Sequence, residues 1–253
     1  MEAVPDPDRL GGIGWLERTR GHLTPDQRRA LLGATLRTYS AHAQGLVGLL
    51  IGRRARGPVD LPDPPDSSLA RAAEAAAVTA QSPSMAAHGW RTWLYGSLLA
   101  GLDGQHVDPE LFYVAALLHD TGVTPSVPGE DFTLRSAAQA RAVMEAEGAA
   151  DADVRAVQDA IAVHVTPGIE PERDGTLGCY VQAGAMLDVV GLRAVEVPAD
   201  TVRAVNERHP RAQLVAELVQ GAREEAAAIP DGRFALVNRV GFTMAVRTAR
   251  GVG

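Results

Sequence analysis

The sequence predicts an all-α protein, and three observations carry that expectation. Alanine is abundant while aromatics make up only 4% of the 253 residues, a balance that favours packed helices over sheets. Apolar residues recur at helical spacing, and no apolar/polar alternation is long enough to support a strand. Several apolar stretches open on a helix-start signal, a capping side chain followed by proline.

Composition narrows the function classes. Hydrophobic residues are 46% of the chain, enough for a sizeable core. The net charge is −7 and no dense basic run exists, so nothing invites a nucleic-acid backbone. The chain has no lysine, and all 24 Lys/Arg positions are arginine. A Schiff-base lysine and a P-loop lysine are therefore excluded. The single cysteine, Cys179, excludes an intrachain disulfide and a multi-cysteine zinc site. No segment resembles a signal peptide and no apolar run reaches membrane length, so a cytoplasmic protein is expected.

In chain order, residues 1–23 are rich in glycine, proline and charge and are expected at the surface. Thr24, Pro25 and Gln27 form a capping box, which predicts a long helix to about residue 53. Residues 1–60 read as an N-terminal helical extension, and residues 61–68 as a proline-rich linker. Residues 69–253 read as the main helical body. Its helices are expected at 69–80, from Ser82-Pro83 onward, 111–118, 133–147, 151–163, 175–190, and near 198–208, 210–227 and 234–248. The helix after Ser82 carries His88, Trp90, Arg91 and Tyr95. Asp108, Pro109 and Glu110 start the apolar run that ends in His119 and Asp120.

Polar residues inside apolar runs carry the chemistry: His88, the His119–Asp120 pair, His164 and Asp188. Each has an ordinary structural alternative. His88 and His164 can be hydrogen-bonded helix histidines, and Asp188 can pair with an arginine such as Arg91. An unpaired buried carboxylate is costly, so Asp188 must be paired, protonated or metal-bound. The ordered set His, His-Asp, Asp on separate predicted helices is more specific than any member alone.

With these residues in place the chain resembles the HD-domain superfamily of metal-dependent enzymes over about residues 69–195. Its wording is most similar to the cyanamide hydratase-like group. The resembling pieces are HGWRTWLYG at 88–96, ALLHDTG at 116–122, FTLRSAA at 132–138, AVH at 162–164 and QAGAMLDVVG at 182–191. Thr133 departs from that group, whose members often have an acid there. The resemblance implies an HD-domain helical bundle whose metal is held by His88, His119, Asp120 and Asp188. Such mixed nitrogen and oxygen donors suit one divalent transition metal, zinc first, with iron or manganese as alternatives. His164 and Asp120 are the expected acid/base groups, and Trp90, Arg91, Phe132 and Arg135 the expected substrate pocket.

Three functions compete. The first is a hydratase or hydrolase adding metal-activated water to a nitrile- or cyanamide-type molecule. The second is an HD-type phosphohydrolase acting on a nucleotide or small phosphomonoester, for which Arg91 and Arg135 are the candidate phosphate ligands. The third is a non-catalytic metal-containing ligand-binding module. The expected partner is a small-molecule substrate, with neither nucleic acid nor membrane; a homo-oligomer is left open.

Overall fold

A computed structural model describes residues 5–57 and 60–252. Among the described residues the regular structure is thirteen α-helices and one 3₁₀ turn, with two isolated bridges and no strand. The helices are α1 (Ile13–Thr19), α2 (Pro25–Leu50), α3 (Ser68–Ala80), α4 (Pro83–Leu102), α5 (Pro109–Leu118), α6 (Phe132–Ala146) and α7 (Asp151–Val163). They continue as α8 (Pro171–Asp174), α9 (Thr176–Val190), α10 (Ala199–Arg208), α11 (Leu214–Ala228), α12 (Arg233–Arg239) and α13 (Phe242–Arg247). The turn Ala194–Glu196 lies between α9 and α10. Among the described residues no helix is long and apolar enough to cross a membrane.

Local chemistry explains most of the starts. Thr24 and Gln27 make the reciprocal capping box at α2, which satisfies two orphan backbone donors. Ser82 caps α4 with Pro83 at its first position. Asp108 accepts from the backbone N–H groups of Glu110 and Leu111 at α5. At α7 the sequence suggests Asp151 as the cap, but the cap is Ala150 and Asp151 is the first helical residue, where its charge meets the positive helix end. The expected final helix is two, because Gly241 adopts a left-handed φ of 110° between α12 and α13.

The core is centred on α4, α5 and α9. Every α5 residue from Phe112 to Leu118 is buried. Helices α4 and α9 run antiparallel, touching at one-turn intervals. A Cβ on Gly184 would stand 2.0 Å from the Thr92 carbonyl oxygen, and one on Gly96 would stand 2.5 Å from the Tyr180 carbonyl oxygen. Glycine at both positions lets the backbones approach. One turn beyond Thr92 and Gly184, the same register brings His88 against Asp188.

The N-terminal stretch departs from the surface expectation. Ile13, Trp15 and Leu16 are buried, and α1 packs on α6 and α7. The anchor is Arg233, fully buried, whose guanidinium lies 5.2 Å from the centre of the Trp15 ring. Arg233 also pairs with Asp131 at 2.9 Å. It donates to Thr133 Oγ1, Thr166 Oγ1 and the Ala162 carbonyl. Helix α2 packs against α12 and the 3₁₀ turn.

Candidate active site

Two helices end in the same way. His119 follows α5, and its Nδ1 lies 2.7 Å from the Ala116 carbonyl. His164 follows α7, and its Nδ1 lies 2.7 Å from the Ile161 carbonyl. A carbonyl only accepts, so Nδ1 carries a proton in each ring, and Nε2 keeps its lone pair when the ring is neutral. His88 reaches the same state differently: its Nδ1 lies 2.7 Å from Asp188 Oδ2. All three rings therefore have Nδ1 occupied by an acceptor.

The donor atoms of His88, His119 and Asp120 lie within 4.8 Å of one another. The two Nε2 atoms of His88 and His119 are 3.3 Å apart. Asp120 Oδ2 is 3.3 Å from His119 Nε2 and 3.6 Å from His88 Nε2. Two neutral imidazole lone pairs facing each other at that distance repel unless a cation or proton lies between them. The triangle has the right size for a metal. Bonds of about 2.0–2.2 Å place neighbouring donors about 3.3–3.6 Å apart in a tetrahedral site. The donor set thus fits a divalent transition metal, which His88, His119 and Asp120 would hold.

Asp188 stands behind this triangle rather than in it. Its carboxylate is fully buried, accepts from Arg91 Nε at 2.9 and 3.0 Å, and is also bound by Arg211. Burial alone would raise this carboxyl. His88 and Arg91 outweigh that and hold it below the usual carboxylate range. The arginine pairing weighed as the alternative for Asp188 is present, together with a contact that orients His88. Of the four expected ligands, His88, His119 and Asp120 converge, while Asp188 lies against Nδ1 of His88 and orients that ring, as carboxylates do behind metal-binding histidines.

His164 closes the group from the other side, with Nε2 3.5 Å from Asp120 Oδ1. Burial lowers the pKa of His164 despite the neighbouring carboxylate, so the ring is neutral near pH 7. Burial would raise the Asp120 carboxyl and lower the His119 ring, but the attraction between the two outweighs it, so Asp120 is held well below its ordinary value and His119 above its own.

These groups face a cavity of about 100 Å³, several times the roughly 10–15 Å³ that one water needs. Its walls are mainly apolar: Val123, Phe132, Ala185, Met186, Val189, Leu218, Phe234 and Phe242 among others. Thr35, Thr38 and Tyr39 enter from α2 and Gln182 from α9. The Gln182 amide nitrogen donates to the His164 and Thr166 carbonyls at 2.6 and 2.8 Å. Among the described residues no arginine lines this cavity. Asp120 also borders a second, more polar cleft that includes Glu217, Gln220 and Glu224.

Of the four expected pocket residues, the structure places Phe132 in the wall and the other three elsewhere. Trp90 donates from Nε1 to the Tyr113 hydroxyl and stacks on His209. Arg91 is committed to Asp188 and to the carbonyls of His209 and Pro210. Arg135 binds Glu225 and the carbonyls of Gly122 and Glu130. Thr133 donates from its hydroxyl to Asp131, which also accepts from Arg233, and neither Asp131 nor Thr133 lines the cavity. Burial pushes the Cys179 thiol up to about 12, so no thiolate nucleophile is available from it.

Sequence reasoning missed Thr35, Thr38 and Tyr39, and nothing in the local pattern of α2 marks them. Gln182 was visible as a polar interruption of an apolar helix, but its place in the site was not.

The fold and site define an all-α protein with buried His/Asp donors able to hold a metal. The HD domain family matches residues 85–218, more than half of the chain, and the chain belongs to that family. Its typical members are metal-dependent phosphohydrolases. No curated protein matches the chain. The matched region contains His88, His119, Asp120, His164 and Asp188; α2, α12 and α13, which complete the cavity, lie outside it.

Proposed function

We propose that this protein is a metal-dependent hydratase or hydrolase that adds water to a small, neutral molecule of nitrile or cyanamide type. One observation carries the reading. The three-donor triangle opens onto a small, mostly apolar cavity with no arginine in its lining, in a chain without lysine. A phosphate substrate would call for such cations to offset its charge. That separates this reading from the phosphohydrolase activity typical of the family.

His88, His119 and Asp120 would hold one divalent ion, zinc first, with iron or manganese as alternatives. When bound, such an ion supplies Lewis acidity and a water of lowered pKa. The protein's own groups do the rest. Asp188 keeps the His88 Nε2 lone pair directed at the site through Nδ1. His164, neutral and with Nδ1 committed, takes up a proton at Nε2 from the attacking water as its oxygen bonds to the substrate carbon, and then returns that proton to the substrate nitrogen. Asp120 Oδ1, 3.5 Å from that atom, stabilises the imidazolium so formed. The apolar walls hold the organic part of the substrate and keep bulk water out.

The test is a parallel assay of zinc-, iron- and manganese-loaded protein with cyanamide, short nitriles and phosphate monoesters. The reading expects an amide or urea product from the first two classes. Turnover of phosphate esters alone would replace it with the phosphohydrolase reading.

A further inference from the structure

Tyr39 lines the cavity from α2, outside the region matched to the family. Its hydroxyl is buried and has no hydrogen-bond partner. An unsatisfied buried hydroxyl is uncommon and costs stability, so it calls for a missing partner. The other two α2 hydroxyls in the wall are already used: Thr35 donates to the Leu31 carbonyl and Thr38 to the Ala34 carbonyl. Tyr39 is the one of the three whose donor is unspent.

We infer that Tyr39 is a substrate-binding residue, and that its phenol donates a hydrogen bond to the polar atom of a small neutral molecule held in this cavity. A nitrile or cyanamide nitrogen, or a carboxamide oxygen, is an acceptor of the required kind. Burial pushes the phenol above its ordinary value, so it stays protonated and donates throughout the neutral range. A helix beyond the family core would then set which polar group the core's cavity accepts. The proposed function enters here only through the choice of probes.

The experiment uses the full-length, zinc-loaded protein and its Tyr39→Phe variant. Both are titrated with acetonitrile, cyanamide and acetamide, and with propyne, which has nearly the shape of acetonitrile but no such acceptor. Affinity is measured alongside the tyrosine ring-carbon NMR signals. The chain has four tyrosines, and the Tyr39 signal is the one absent from the variant. The expected result is a Tyr39 shift with at least one polar probe, about three- to tenfold weaker binding of that probe by Tyr39→Phe, and unchanged propyne binding. Equal affinity of both proteins for every polar probe would overturn the inference, since the partner would then be water or nothing. Binding of propyne alone, or of no probe at all, would overturn it too. Probes held through Tyr39 but never hydrated would sink the proposed function and leave the inference standing. Normal hydration with unchanged KM in Tyr39→Phe would do the reverse.

Discussion

A histidine ring presents two nitrogens, and the state of one decides the use of the other. In this site every Nδ1 is held by an acceptor: Asp188 for His88, Ala116 for His119 and Ile161 for His164. Replacing His164 with alanine leaves the donor triangle intact. His164→Ala should lower turnover by about 10²–10⁴-fold, the usual worth of a positioned acid/base, with metal retained. Turnover and metal content are to be measured on one preparation; near-normal turnover would make His164 a packing residue. Asp188 acts through another group. Asp188→Asn keeps its shape but weakens the hold on Nδ1 of His88 and leaves Arg91 without its counter-charge. Metal affinity should fall about 10–100-fold. Stability should fall as well, by up to roughly 3–5 kcal/mol, because a buried partner is left charged and unpaired. Competition with a chelator measures the first, and urea unfolding the second.

At the scale of elements, the site depends on how closely α4 and α9 approach. The contacts Gly96–Tyr180, Thr92–Gly184 and His88–Asp188 follow one another at one-turn steps. A methyl group on Gly184 would meet a backbone carbonyl, which cannot swing aside as a side chain can. Gly184→Ala should therefore cost about 3 kcal/mol, the upper end of ordinary overpacking. It should also weaken metal binding by spreading His88 from Asp188. Denaturant unfolding with wild-type metal affinity would show that the helices separate without disturbing the site.

The start of α6 is held in another way, by the buried pair of Asp131 and Arg233. Burial alone would raise the Asp131 carboxyl, but Arg233 and the Thr133 hydroxyl outweigh it and lower its pKa. The folded value lies below the unfolded one, so this stabilisation is complete above the ordinary aspartate value of about 3.9. It is lost as pH falls through the folded value. Asp131→Asn should thus be clearly less stable than wild type at pH 7, and the gap should narrow below about pH 4. A gap that stays constant with pH would mean that Asp131 contributes through shape rather than charge.

For the whole molecule, the sequence shows what is local and hides what is distant. The starts at Thr24, Ser82 and Asp108 were legible because cap and proline are neighbours in the chain. His88, His119 and Asp120 were legible because polar ligand types stood out in apolar helices. Asp188 stood out for the same reason, yet its company was open: the same carboxylate could face a metal or an arginine, and only the packing of α4 and α9 decides. The burial of Ile13, Trp15 and Leu16 was hidden because it depends on Arg233, more than two hundred residues away. Tyr39 was hidden likewise, since its place follows from how α2 lies across the cavity. Arg91 and Arg135 lie outside the cavity lining, and a nearby position in sequence does not say which carboxylate claims a guanidinium first.

The claim on which the account rests is that His88, His119 and Asp120 together hold one divalent transition metal. Elemental analysis of purified protein after exposure to zinc, and then to iron or manganese, tests it most directly, with His119→Ala as the companion. The account predicts about one ion per chain in the wild type and less than about a tenth of that in a folded His119→Ala, because removing one of three donors abolishes the site. A wild type that takes up no metal, or a His119→Ala that keeps it all, would contradict the account.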